Sequence, residues 1–212
     1  MRTRFLSVLL ALILAVPTFA ESVGAFKKFS LGAMFGIGAS YLTGEDKDLY
    51  DDGGTFGMEM TFRMALPLNN VLSVVTDIGV DGVYGYASEY EYQYRSFVDS
   101  IETTSVGVSV LLTSFVSDHV FLSIGPSIRI PFLKEMVMLE DETVYSGDPG
   151  YANDLWLDVV GAIGWKYNGV ELGMRTGYEF LGLYKETKDF RKVDLNELRF
   201  RIYFSYWFGQ RN

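Results

Sequence analysis

Cysteine is absent from this 212-residue chain, which excludes a disulfide framework and lipid attachment through an N-terminal cysteine. Histidine occurs once, at position 119, so chemistry that needs several imidazoles has no material here. Proline is scarce, five in all, and one of them is Pro17. Positive charge is in deficit. The 18 Lys and Arg against 27 Asp and Glu leave a net charge of −9, which argues against a nucleic-acid partner. After residue 20 no apolar run reaches the ~20 residues that a membrane-spanning helix requires. That excludes a helical membrane protein but not one that crosses with strands of roughly 10 residues each.

The N-terminus reads as a secretory signal. Arg2 and Arg4 supply the positive region, Phe5–Val16 the apolar one, and Thr18-Phe19-Ala20 a small-residue cleavage site. The expected organisation is a signal peptide over 1–20, a short N-terminal segment over 21–28, one domain over 29–208 and a tail over 209–212.

What the sequence does have is glycine, 22 residues, and aromatic side chains, 16% of the total. It also has persistent alternation. Eight segments place apolar residues at every second position: 29–42, 55–66, 71–86, about 103–112, 120–130, 154–167, 170–181 and 198–208. The last, LRFRIYFSYWF, shows the pattern plainly: Leu198, Phe200, Ile202, Phe204, Tyr206 and Phe208 alternate with Arg199, Arg201, Tyr203, Ser205 and Trp207. Period-2 alternation means strands with one apolar and one polar face.

Two readings compete for those faces. In a soluble carrier the apolar face lines a cavity, and in an outer-membrane barrel it meets lipid while the charges point inward. The connections favour the barrel. Short turns at 67–70, around 117–119 and at Asn168-Gly169 alternate with long connections at about 43–54, 87–102, 131–153 and 182–195, as periplasmic turns alternate with extracellular loops. The aromatics sort by height too. Tyr41, Phe56, Tyr84, Tyr86 and Tyr178 fall near the long-connection end, and Phe29, Trp165, Tyr167, Tyr206 and Phe208 near the short-turn end. Two such girdles mark the membrane interfaces. The expected fold is an all-β, eight-stranded antiparallel up-and-down transmembrane β-barrel, resident in the bacterial outer membrane and in contact with its lipid and lipopolysaccharide.

The polar face carries Glu59, Asp77, Asp81, Asp158, Glu171, Glu179 and Glu197 against Arg63, Arg129, Lys166, Arg175, Arg199 and Arg201. Eight strands enclose just enough width for side chains to fill, and unpaired buried charges cost several kcal/mol. An internal ion-pair network of Glu59, Arg63, Asp77, Asp81, Arg129, Asp158, Arg175, Glu179, Glu197, Arg199 and Arg201 is the expectation, with inward glycines leaving room for the arginines. The alternative is a narrow polar channel.

Catalytic candidates are thin. Ser117-Asp118-His119 is contiguous in a short turn, whereas a nucleophile and its base need convergent geometry, so His119 reads as a solvent-exposed turn residue. Asp77 and Asp81 on one face read as partners for arginines rather than an acid–base pair. The loop TGEDKDLYDDGG carries five carboxylates, but Tyr50 stands where a calcium loop needs its third ligand. No metal, cofactor or enzyme activity is implied, and a lipid-modifying enzyme is the remote alternative. The long loops are candidates for an extracellular ligand.

The glycine-rich LGAMFGIGASY at 31–41, FLSIGPSIRIPF at 121–132 and a final strand ending in an aromatic resemble the small OmpA/OmpX-type outer-membrane barrels and the broad outer membrane beta-barrel domain family, over essentially all of 29–208. The resemblance implies that the last strand, through Phe208, is read by the barrel assembly machinery. In this chain GQRN follows that aromatic.

Overall fold

The computed structural model describes residues 25–44, 55–92, 95–139, 142–147, 153–182 and 196–209, with the backbone alone at 86–92, 95–101, 135, 137, 139, 142–145 and 147. Nine strands form: β1 (Ser30–Thr43), β2 (Thr55–Pro67), β3 (Leu72–Tyr92), β4 (Arg95–Phe115), β5 (Val120–Leu139), β6 (Glu142–Gly147), β7 (Trp156–Tyr167), β8 (Val170–Glu179) and β9 (Asn196–Trp207). All pairings are antiparallel. Eight strands close a ring, β1-β2-β3-β4-β5-β7-β8-β9, sealed where β9 pairs β1 from Gly32↔Trp207 to Thr43↔Asn196. β6 lies outside the ring and pairs with the upper part of β5.

The ring closes with a stagger. Following opposed residues from Ser30 leads through Ala65, Val75, Leu111, Gly125, Val160, Gly177 and Arg199 and returns to β1 at Ser40. Such an offset tilts every strand against the barrel axis. The β4–β5 ladder is interrupted opposite Pro126, which has no N–H to give. At the short-turn end Asn168 and Gly169 adopt φ of 49° and 81°, the left-handed pair that a type I′ hairpin demands. In the β2–β3 turn the Asn69 Oδ1 accepts from the backbone N–H of Val71 and Leu72 at 2.9 and 2.8 Å.

Two of the four expected long connections are largely strand. β3 and β4 run on through 87–102, and β5 and β6 occupy most of 131–147. Beyond the apolar belt no outward apolar face is required, so alternation fades from the sequence while backbone pairing continues. A bulge at Gly85, whose φ is 107°, marks the change. It shifts the register so that Tyr86 lies opposite Ile101. The side chain of Tyr86 is outside the described residues.

The molecule is inside out. Among the described residues 34 large hydrophobic side chains are exposed, against 16 hydrophobic residues buried. Far more apolar surface faces outward than a soluble monomer carries. Phe29, Tyr41, Phe56, Tyr84, Trp165, Tyr167, Tyr206 and Phe208 are all on the exposed face, and Tyr178 is half-buried there.

Candidate functional site

The lumen is where this chain concentrates its chemistry. All thirteen inward charged residues of the described strands are buried. Eleven of them form two ion-paired groups along the barrel axis.

The upper group, nearer the long connections, joins three acids to three arginines. Asp81 on β3 faces Arg199 (2.7 Å), Arg201 (3.0 Å) and Arg129 (3.7 Å). Asp158 on β7 takes Arg129 at 2.6 Å and Arg199 at 2.9 Å. Glu197 on β9 takes Arg129 at 3.2 Å and Arg199 at 3.7 Å. Arg129 also lies over the ring of Trp156, 4.8 Å from its centroid, and Arg201 donates to the carbonyl of Ala39 at 2.9 Å.

The lower group reaches across the lumen. Arg63 donates from Nε to Asp77 at 2.8 Å and from Nη1 to Glu171 at 2.7 Å. Arg175 on β8 pairs with Asp77 on β3 and lies 3.4 Å from Glu59. Glu171 accepts two further bonds, from Tyr203 Oη at 2.8 Å and Trp207 Nε1 at 2.7 Å. Tyr203 and Trp207 sit on the polar face of β9, and alternation alone does not mark them as members of the site.

Register explains why the pairs span the lumen. Arg175 lies directly opposite Arg201, and Asp158 opposite Glu179. Like charges on adjacent strands repel, so Arg175 and Arg201 reach across the lumen to Asp77 and Asp81 on β3, and Asp158 takes Arg129 on the neighbouring β5. Glu179 departs from the expected network. Its carboxylate accepts the backbone N–H of Leu181 at 2.6 Å and of Gly182 at 3.1 Å, because the chain turns back over it at the end of β8 and brings those amides close.

Glycine makes the room. A Cβ at Gly57 would run into the Arg201 guanidinium, one at Gly177 would lie 2.7 Å from Arg199 Nη2, and one at Gly107 2.8 Å from Arg129 Cγ. Among these side chains lies a cavity of about 20 Å³ between Glu59, Asp77, Asp81, Arg129, Arg175 and Arg199. That volume holds about one water molecule.

Below the charges the lumen turns apolar. Met34, Ala65, Val75, Leu111, Phe115, Phe121, Val160, Tyr203 and Trp207 form one buried cluster, joined by Ala25 and Phe26 from ahead of β1. Alternation predicts a side-chain-filled polar lumen, and this apolar floor departs from it because the inward positions at the short-turn end are taken by apolar residues. His119 is not the exposed turn residue expected either. It is half-buried, its ring 5.8 Å from Trp165 and 5.3 Å from Tyr167. Two outward aromatics flank its turn and offer it apolar cover. Among the described residues no group of His, Asp and Glu is arranged to hold a metal ion; the acidic loop over 45–54 lies outside them.

A closed ring of eight staggered antiparallel strands, charged within and apolar without, is now complete. The fold is the all-β, eight-stranded antiparallel barrel expected from the alternation. No family model and no curated protein matches the chain. Among solved structures it is similar to Neisserial surface protein A, with 13% identity over 84% of this chain and 96% of that one and a TM-score of 0.46. It is similar also to Ail, the attachment invasion locus protein of Yersinia pestis, with 12% identity over 85% and 99% and a TM-score of 0.44. The Yersinia pestis outer membrane protein Ail in a phospholipid bilayer nanodisc gives 9% identity over 85% and 100% and a TM-score of 0.41.

Proposed function

We propose that this chain is a non-enzymatic integral protein of the bacterial outer membrane, with a plugged lumen, that supports the envelope or presents its long-connection side to a partner outside. The observation that carries the reading is the ion-paired lumen, in which buried arginines and carboxylates from six strands meet around a cavity of about 20 Å³. A conducting pathway needs a continuous file of water, and a space for about one water does not supply it. The apolar outer face supports contact with membrane lipid and lipopolysaccharide. β9, which seals the ring and leads into Phe208, is the element we assign to recognition by the barrel assembly machinery.

Planar-bilayer recording of the purified protein tests the plug. No steady conductance is expected, and discrete, reproducible single-channel steps would replace this reading with the narrow channel. The membrane assignment has its own check, a folded gel band from the outer-membrane fraction that shifts on boiling. Recovery from the soluble periplasm without a shift would reverse the assignment of the two faces.

A further inference from the structure

The segment ahead of β1 does not lie along the surface. Ala25 and Phe26 are 6% and 2% exposed, whereas Lys27, Lys28 and Phe29 are exposed. The Phe26 ring meets Trp207 edge-on, with centroids 4.5 Å apart and planes at 70°, and meets Phe115 at 6.1 Å and 75°. The Lys166 ammonium lies 4.4 Å from the Phe26 centroid and 5.8 Å from that of Phe115, within the range of attraction between a cation and a ring face. Phe26 therefore stands between the short-turn mouth and the chain of bonds Trp207–Glu171–Arg63.

The seat for this ring is built without it. Trp207 is fixed by its bond to Glu171 and by Gly32, where a Cβ would lie 2.9 Å from the indole. Phe115 packs on Phe121 at 5.7 Å. The strand pairing of β1 begins only at Ser30. Among the described residues the other flank of the segment borders an open cavity of about 430 Å³, lined by Ala25, Phe26, Lys27 and the β2–β3 turn residues Pro67–Asn70. The segment is thus held by ring contacts ahead of the first strand pairing and borders open space among the described residues.

We infer that residues 25–28 are a separable stopper: the chain's own phenyl ring occupies an aromatic seat at the short-turn mouth and shuts the lower lumen to water, independently of the ionic layer above. The inference extends the plugged-lumen reading. Its test reads exchange at one indole rather than conductance, so either can fail while the other stands.

The three tryptophans supply the test, with the full chain in lipid nanodiscs. Trp207 reports on the stopper, Trp156 beside Arg129 reports on the ionic layer, and Trp165 faces outward. In Phe26→Ala the Trp207 indole N–H should exchange with solvent about tenfold faster or more, as a locally opened site does. Trp156 should not change, and the heat-shifted gel band should persist. Phe26→Leu, which keeps an apolar plug, should fall between. Unchanged Trp207 exchange in the folded Phe26→Ala protein would overturn the stopper. Loss of the heat-shifted band, or equal acceleration at Trp156, would overturn separability and make the segment part of the barrel's own core.

Discussion

The two ends of the lumen solve one packing problem with different chemistry. In the upper half Asp81, Asp158 and Glu197 face Arg129, Arg199 and Arg201, three charges of each sign. At the floor, rings of Phe26, Phe115, Phe121 and Trp207 fill the same bore. Glycine is the common device. Gly57 and Gly177 make way for guanidinium groups above, while Gly32, Gly164 and Gly173 make way for Trp207, Phe121 and Tyr203 below. The two fillings differ in what a single deletion does. An acid taken from the ionic layer strands its arginines in a dry interior, whereas a ring taken from the floor leaves a cavity that its neighbours can partly close.

That contrast orders the expected effects. Asp81→Ala leaves three arginines short of a partner and should cost about 4 kcal/mol, as breaking a buried ion pair does; urea unfolding in lipid vesicles would measure it. A loss under about 1 kcal/mol would mean that water enters the upper lumen and screens the charges. Phe115→Ala should cost about 3 kcal/mol by the same assay, in the range for a buried ring, and its cost should fall further if Phe26 moves into the space. Smallest of all should be the coupling between the two changes. The floor and the ionic layer share no ion pair among the described residues, so the double variant should match the sum within about 0.5 kcal/mol. Coupling well above that would make the lumen one cooperative unit and erase the distinction between its ends.

How much of this is legible in the sequence depends on whether alternation survives. Where a strand crosses the belt, one face must be apolar and the other polar, so Met58, Met60 and Phe62 against Glu59, Thr61 and Arg63 give the strand and both its faces away. Above the belt that constraint lapses, and 87–102 reads as loop although its backbone pairs as strand. The Gly85 bulge is invisible for a related reason: one inserted residue leaves composition unchanged but shifts the backbone register between Val83 and Tyr86. The charged residues of the lumen can be read from the pattern, but their partners cannot. Arg175 and Asp77 are 98 positions apart and meet only because the ring closes. Phe26 carries no signal at all, being a single apolar residue ahead of the first alternating run.

The strands are unequal in length, and this gives the molecule a front and a back. β8 has 10 residues, roughly 33 Å of extended chain, which at a tilt near 40° is about the height of an apolar membrane belt. β4 has 21 residues, about twice that reach. On the β7–β8 side the described barrel ends close to the level of the membrane. Next round the ring from β7, the strands β5, β4 and β3, with β6 at their flank, run well beyond that level. From one side of the ring to the other, the described strands thus differ about twofold in reach.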